Sequence, residues 1–358
     1  MQDATAGFHE RISAVRSIMV SKNLSAVVLR RNPNLAWVLA GRVHVPTTMD
    51  AACLDLIITA FDVTAVTNVI EAPRLIAEEL PAEVKVIAIP WWEGRDSKLP
   101  SGNSIGCDQS GAERIDIGAE VEIVRSSLTE FDCARMAELS AAAAKALGEA
   151  MKRVDPSDRE IDVAGRITAA LWSADLEIAF LGIAGERRAK LFRHPLPTTD
   201  PVGARVVASI CAKRKGLIAS VTRIISFQPL SDQDEQDYLG LLNVEAAMLS
   251  ATVIGAAFNA PILGASTSYG ENGFDPDEWH RHHQGGPTGY LPRDWPATPT
   301  SQRLIAPNQP VAWNPTGKGW KVEDTWLTGT DGLKLLSIDP TWPAIIVAGR
   351  VRPAVLLR

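Results

Sequence analysis

The sequence predicts an α/β domain followed by a larger domain of helices and strands. Residues 1–125 alternate helical and strand patterns, which is typical of an α/β domain. Near residue 125 the pattern changes to a long alanine-rich run of strong helix formers, Glu130 to Lys152. A length of 358 residues also fits two domains with ample core. We therefore place the domains at 1–125 and 126–358.

The first domain begins with a predicted helix over residues 8–22, where apolar residues recur at a helical spacing. A buried strand over 25–30 follows, and Asn32-Pro33-Asn34 predicts a turn. A helix is predicted over 71–80. Further strands are predicted over 54–59, 63–67 and 84–90.

In the second domain, Asp155-Pro156-Ser157-Asp158 ends the alanine-rich helix and caps the next one, which runs to about Leu171. A helix is also predicted over 233–257. Residues 259–326 are rich in Gly, Pro and Trp and predict loops and short strands. Strands are predicted over 178–184, 204–211 and 217–227.

Composition excludes several classes of function. The net charge is −6 and the basic residues are scattered, so no nucleic-acid partner is expected. The most apolar stretch, Ala246 to Phe258, is too short to span a bilayer, so no membrane partner is expected either. The four cysteines lie far apart in the sequence, which indicates reduced thiols and no disulfide framework. The N-terminus lacks a signal-peptide pattern. We expect a cytoplasmic protein.

Two C-terminal segments and one hairpin together carry a family resemblance. The segments 279–286 and 319–325 resemble the last metal-ligand stretches of the pita-bread family, which includes creatinase, prolidase and aminopeptidase P. Residues 207–223 resemble the hairpin that precedes them in that family. The resemblance implies an α/β N-terminal domain followed by an α+β pita-bread domain, with helices on a curved antiparallel sheet. It also implies a homodimer.

The metallopeptidases of this family bind two metal ions through two Asp, one His and two Glu. The resemblance places His283 and Glu323 at the His and the final Glu positions. The other three positions fall on Ser209, Ser220 and Asn314. One carboxylate and one imidazole are too few ligands for two hard divalent cations. We therefore expect the fold without the metal ions, and no other cofactor.

His194 is the predicted general acid/base. The segment from Ile183 to Pro195 resembles the family stretch that ends in an active-site His before a Pro-containing turn. In creatinase, which is metal-free, that His moves the proton. An imidazole titrates near ~6.5 and exchanges a proton readily at neutral pH. The alternative is a solvated loop histidine beside Arg193.

Glu323 and His283 are the other predicted catalytic residues. Alternation along the strand should point Glu323 and Thr325 to one face, where a carboxylate can bind a guanidinium, ammonium or amide N–H. The alternative is a structural acid paired with Arg223 or Lys321. His283 is implied by the resemblance.

Three of the six histidines fall in one short segment rich in glycine. A zinc site made of His280, His282 and His283 alone is awkward, because adjacent side chains on an extended segment point to opposite faces. We expect His280 and His282 to lie in a solvated loop. The nearby glycines, Gly285 and Gly286, would let the backbone approach a ligand closely.

The remaining candidates would bind substrate. Ser209, Ser220 and Arg223 are suited to a substrate carboxylate. A nucleophile pair of either serine with His194 needs only hydrogen-bond reach, but no nucleophile-elbow motif supports it. Cys211 is expected to be a buried strand cysteine. The other substrate-binding candidates implied by the resemblance are Thr222, where creatinase has a Glu, Tyr290, Asn314 and Arg42 with the 42–53 loop.

The sequence thus predicts a metal-independent hydrolase or lyase that acts on a C–N bond of a small polar nitrogen compound. Creatinase is the nearest mechanistic example, although Thr222 makes creatine itself doubtful as substrate. One alternative is a catalytically inactive homologue that binds a ligand or peptide. The other is a divergent Xaa-Pro metallopeptidase.

Overall fold

The computed structural model describes residues 7–45, 50–109 and 113–358. Within them the chain divides into two compact units. The first comprises residues up to Asp132 with Lys215–Leu217, and the second comprises Cys133–Arg214 and Ile218–Arg358. The boundary predicted after residue 125 stays a prediction. Residues 46–49 of the 42–53 loop and the first six residues, on which the signal-peptide expectation rests, lie outside the described residues.

The first unit is built on a mixed β-sheet. Among the described residues its strands are β1 (Ala26–Arg31), β2 (Ala51–Thr59), β3 (Val63–Asn68), β4 (Lys85–Ile89), β5 (Ile105–Cys107) and β6 (Ile115–Asp116). Their order is β4-β3-β2-β1-β5-β6. The β1–β2 and β2–β3 pairs are antiparallel, and the other pairs are parallel. The predicted strands of this domain are confirmed.

The helices of the first unit confirm one prediction and correct another. The helix over 8–22 is confirmed, and it buries Phe8, Ile12 and Val15. The turn predicted at Asn32-Pro33-Asn34 is wrong, because these residues begin a helix. Proline is tolerated in a first helical turn, where its missing N–H costs no hydrogen bond. The helices are α1 (Phe8–Lys22), α2 (Asn32–Leu39), α3 (Ala72–Arg74, continued by a π-helical turn Leu75–Glu79) and α4 (Gly118–Ser126), with a 3₁₀ turn at Arg95–Lys98.

The second unit contains two larger sheets. One has the order β18-β9-β8-β7, and its strands are β7 (Glu177–Gly185), β8 (Arg205–Arg214), β9 (Leu217–Ser226) and β18 (Leu356–Leu357). The other has the order β10-β11-β14-β15, with β10 (Gly285–Pro287), β11 (Pro310–Trp313), β14 (Asp324–Gly329) and β15 (Gly332–Leu335). Two short hairpins complete it: β12 (Thr316–Gly317) with β13 (Trp320–Lys321), and β16 (Ala344–Val347) with β17 (Arg350–Pro353).

The helices of the second unit differ from the prediction at one point. The helix predicted over 233–257 ends at Ala251, and the loop predicted from 259 is helical to Glu271. Pro261 lies in the first turn of this helix, so its ring does not interrupt the hydrogen bonds. The helices are α5 (Glu130–Met151), α6 (Glu160–Ser173), α7 (Glu186–Leu191), α8 (Asp232–Ala251) and α9 (Asn259–Glu271), with a 3₁₀ turn at Glu278–Arg281. No helix within the described ranges combines the length and apolarity needed to cross a bilayer.

The core of the second unit holds the site segments in place. Trp313, Trp320 and Trp326 are buried and pack with side chains of α8 and α9. Each large apolar side chain buried in this way contributes roughly 1.5–3 kcal/mol. The β8–β9 hairpin is buried along almost its whole length. Its polar side chains therefore need partners inside the protein.

Candidate active site

The β8–β9 hairpin pairs its own polar side chains on one face. The Ser209 and Thr222 hydroxyl oxygens lie 2.8 Å apart, and Cys211 Sγ lies 3.5 Å from Ser220 Oγ. Burial raises the pKa of the Cys211 thiol, in line with the expectation of an inert strand cysteine. The Thr222 N–H donates to the Glu323 carbonyl oxygen over 2.9 Å, which ties the hairpin to the segment before β14.

Glu323 is buried between two cations. Arg293 Nη2 donates to Glu323 Oε1, and Lys321 Nζ lies 3.6 Å from Oε2. Burial acts to raise the pKa of Glu323, but the charges of Lys321 and Arg293 outweigh it and hold the pKa below its usual value. Both carboxylate oxygens already have cationic partners. A cationic substrate nitrogen, as predicted from the sequence, would have to compete with them.

Three imidazoles converge beside this ion-pair group. His282 Nε2 lies 3.0 Å from His194 Nε2, and the His282 and His283 rings are stacked with centroids 4.4 Å apart. The expectation that His282 lies in a solvated loop is wrong, because its side chain is buried. The Gln284 side chain holds the segment by donating to the carbonyl oxygens of His282 and Trp279.

The environment lowers the pKa of each of these imidazoles. Partial desolvation, followed by the charge of Lys321, lowers the pKa of His194, although the residue is exposed. Partial enclosure and then the charge of Arg293 lower the pKa of His283 to about 4. Burial lowers the pKa of His282 further than that of His283. A neutral imidazole is the form that accepts a proton.

A partly open cavity lies beside the chain segment that carries His194. Ser209 and Lys321 line it, as do Arg193 and Pro195, which flank His194 in the chain. Its walls are otherwise mainly apolar and include Phe180, Phe192, Val207 and Trp320. A larger cavity near the β14–β15 turn is lined without any titratable side chain, so it offers no comparable chemistry.

Arg223 belongs to a different network from Glu323. It follows Thr222 along β9, so its side chain points to the opposite face of the strand from Thr222. Its guanidinium bonds Asp324 Oδ1 at 3.0 Å and the Ser337 carbonyl oxygen at 3.1 Å. The substrate-binding role of Arg223 stays a prediction, and in this structure its guanidinium is taken up by these contacts.

The other substrate-binding candidates, Tyr290, Asn314 and Arg42, lie in different parts of the fold. Tyr290 is buried, and its hydroxyl lies 3.4 Å from Arg135 Nη1 on α5. Asn314 is buried beside the histidine segment, where its N–H donates to the Gln284 carbonyl oxygen. Arg42 belongs to the first unit and bonds Glu79 there, so its part in substrate binding stays a prediction.

The residues at the implied ligand positions do not fit two divalent metal ions. Apart from His283 they comprise two hydroxyls, one amide and the carboxylate of Glu323, which is already neutralised. The Arg293 guanidinium reaches both Glu323 and, at 3.4 Å, Ser220 Oγ, and so places a positive charge between two of those positions. A divalent cation there would meet like charge from Arg293 and Lys321.

The fold is shared with solved peptidases. The match to the prolidase from Pyrococcus horikoshii OT3 has a TM-score of 0.77 at 17% identity and covers 92% of this chain and 98% of that chain. Dipeptidase PepE from Mycobacterium ulcerans matches with a TM-score of 0.77 at 16% identity, over 99% and 98%. The N-terminal domain of the FACT complex subunit SPT16 from Cicer arietinum matches with a TM-score of 0.69 at 10% identity, over 93% and 94%. No protein-family model and no curated protein matches the sequence.

These matches confirm the predicted fold class, a small N-terminal α/β domain followed by a pita-bread domain. Sequence reasoning missed Arg293 and His282 as parts of the site. Arg293 is a single arginine in a Pro-rich segment, and no motif or spacing in the sequence identifies it as a site residue. The cluster of histidines is evident in the sequence, but the sequence does not predict which way the His282 ring points.

Proposed function

We propose that the protein is a metal-independent hydrolase that cleaves a C–N bond of a small polar nitrogen compound, with His194 as general acid/base. The observation that supports this most is the 3.0 Å contact between His194 and His282, in a segment whose neighbouring residues Arg193 and Pro195 line a cavity. The prolidase fold adds support, since prolidases and dipeptidases hydrolyse C–N bonds.

In the proposed reaction His194 takes a proton from a water molecule, whose oxygen attacks the electrophilic carbon. The protonated His194 donates its Nε2–H to His282 Nε2, which burial keeps neutral and able to accept. His194 then returns the proton to the departing nitrogen as the C–N bond breaks. His282 is thus a positioning residue that orients the ring and stabilises the imidazolium.

The test is hydrolysis of a panel of amides, ureas and amidines, measured as release of amine or ammonia. We expect His194→Gln to lower the rate by about a hundredfold to ten-thousandfold, the usual contribution of general acid–base catalysis. The matched control is His280→Gln, since His280 is exposed on the neighbouring 3₁₀ turn, and we expect it to keep the wild-type rate. Equal rates in the two variants would refute the role of His194.

A second candidate is a single-metal hydrolase, favoured by the three imidazoles. The ligand nitrogens of His194, His282 and His283 lie within 4.8 Å of one another. Three histidines with one open position are a common catalytic zinc set. Two features oppose it. One is the charges of Lys321 and Arg293. The other is the buried His282 Nδ1, which among the described residues has no acceptor of the kind that a metal-binding histidine usually has. One equivalent of zinc or manganese in purified protein, lost on His283→Asn, would favour this candidate.

A ligand-binding protein without catalysis is the remaining alternative. The likeness of fold supports this alternative as well as the enzyme, because the same fold occurs in the N-terminal domain of SPT16, which is a subunit of the FACT complex. A protein that hydrolyses nothing in the panel and binds small ligands equally well after His194→Gln would be of this kind.

A further inference from the structure

Within the described residues, Arg293 and Lys321, here called the cation pair, share one buried carboxylate, that of Glu323. Their side chains are 12% and 9% exposed, and Glu323 between them is 5% exposed. With Glu323, they are the charged groups that act on His194, and Arg293 is the charged group that acts most strongly on His283. One carboxylate neutralises one of the two cations. A buried positive charge without a full counter-charge is unfavourable, so the group is suited to an anion.

The Arg293 guanidinium is also only partly used. Nη2 bonds Glu323, and Nη1 bonds the Pro292 carbonyl oxygen and, at the long distance of 3.4 Å, Ser220 Oγ. Nε is buried and has no hydrogen-bond partner among the described residues. A guanidinium has five N–H donors in a fixed fork that matches the oxygens of an oxyanion. This arginine therefore keeps donor capacity for a ligand.

Lys321 of the cation pair lies at the cavity, and the charges of both cations act on the proposed base. Lys321 lines the cavity together with Ser209, whose hydroxyl is a further donor. After burial, the charge of Lys321 is the strongest influence on His194. Arg293 also lies between Ser220 and Glu323, two positions where the resemblance implies metal ligands. The positive charge that metal ions would supply comes instead from side chains.

We propose that Arg293 and Lys321 form an oxyanion-binding site that takes the place of metal ions in this fold. Its ligand is a small tetrahedral or planar oxyanion attached to an apolar group, because Phe180, Phe192 and Trp320 wall the adjoining cavity. The site binds such an anion in the resting protein. Glu323 competes for the same cations and limits the affinity.

This inference deepens the proposed function and rests on it for the reaction step. When water adds to an amide or urea carbonyl, the C=O electron pair moves onto the oxygen. The cation pair stabilises that charge by hydrogen bonds already in place. When the C–N bond breaks, the electron pair re-forms C=O, and the nitrogen leaves with the proton from His194. At the end of the cycle the C=O bond has its electron pair again, and His194 has given its proton to the leaving nitrogen.

The test is calorimetric titration of the full chain with 2-phenylethylphosphonate, a tetrahedral anion with an apolar group, after dialysis against a chelator. The neutral dimethyl ester of the same compound is the ligand control. Lys321→Met removes one cation at nearly constant volume. Glu323→Gln removes the competing carboxylate. Lys318→Met is the matched lysine control, because Lys318 belongs to the same β12–β13 hairpin but bonds Asp237.

We expect the phosphonate to bind and the ester to bind at least about tenfold more weakly. Lys321→Met should weaken phosphonate binding by about tenfold or more, and Glu323→Gln should tighten it. Lys318→Met should leave it within about twofold. The opposite signs at 321 and 323 are the decisive result, since a purely structural ion-pair group would lose affinity on either change.

Four results would overturn the inference: no phosphonate binding up to about 10 mM, equal binding of the ester, an unchanged affinity in Lys321→Met, or a weaker affinity in Glu323→Gln. Melting curves for each variant show that loss of binding is not loss of fold. The proposed hydrolase activity can be refuted independently of the anion site. Anion binding with the expected signs in a protein that hydrolyses nothing would refute the enzyme and leave this site standing.

Discussion

Glu323 and Asp324 are adjacent in the chain and serve different networks. Glu323 forms ion pairs with Arg293 and Lys321, whereas Asp324 forms ion pairs with Arg223 and Arg352, each at 3.0 Å. Neighbouring side chains on extended backbone point to opposite faces, which separates the two networks. Because of this separation, a substitution in one network should change stability and a substitution in the other should change ligand binding.

Arg352 tests the structural network. It is 1% exposed and bonds both oxygens of Glu245 at 2.6 Å. We expect Arg352→Met to lower the free energy of unfolding by about 3–5 kcal/mol, because it leaves buried carboxylates without a counter-charge. Urea denaturation measures this. Arg350→Met, at an exposed contact with Ser250, should change it by less than about 0.5 kcal/mol.

The Arg352 variant also has an expected pH dependence. Burial raises the pKa of Glu245 to about 7 even with Arg352 present. Without the Arg352 guanidinium, the pKa of the buried Glu245 carboxyl should rise further, so the folded variant should bind a proton at a pH where the folded wild type does not. The loss of stability should therefore be smaller at pH 6 than at pH 8. An equal loss at both pH values would contradict this account.

At the scale of elements, strand β10 positions the histidine segment through a glycine. Gly285 has φ +111°, and a Cβ there would lie 2.2 Å from the Ala312 carbonyl oxygen on β11. The sequence-based expectation that this glycine admits a ligand is corrected: it admits the backbone of the neighbouring strand. The short strand and its pairing with β11 hold His282 and His283 at their place.

We expect Gly285→Ala to destabilise the protein by about 2 kcal/mol or more, because the added methyl group meets backbone and the backbone conformation is unfavourable for alanine. Thermal unfolding measures this. The control is Gly255→Ala, where φ is +87° but a Cβ would meet nothing within 4 Å. If the two variants lost equal stability, the conformation alone and not the contact with β11 would explain the effect.

At the scale of the whole molecule, the histidine cluster should make stability depend on pH. The pKa of His283 is about 4 in the folded protein, against about 6.5 for an unperturbed imidazole. Between these values the unfolded chain binds a proton that the folded protein does not, so stability falls as the pH drops through that window. The lowered pKa values of His194 and His282 act in the same direction.

The measurement is the difference between wild type and His283→Asn in urea midpoint at pH 7 and pH 5. A difference is needed because Glu245, with its raised pKa, contributes the opposite slope in part of the same range. We expect the wild type to lose more stability than the variant between the two pH values. Parallel losses would show that His283 titrates normally in the folded state.

Much of the fold was predictable from the sequence because periodicity records burial locally. The helix at 8–22, the strands of both units and the long helix beginning at Glu130 follow their patterns closely. The errors fall where proline begins a helix, at Pro33 and Pro261, since a proline in a first turn and one in a loop have the same local sequence.

For the site, the sequence by itself determined that Ser209, Ser220 and Asn314 stand where the family resemblance implies carboxylates. Only the tertiary structure decided which charged and ring groups lie beside them. Arg293 reaches Glu323 across thirty residues of chain, and His194 reaches His282 across eighty-eight. Such contacts depend on how the hairpin and loops pack against each other. No local spacing encodes them, because ion pairs and ring contacts form between surfaces that folding brings together.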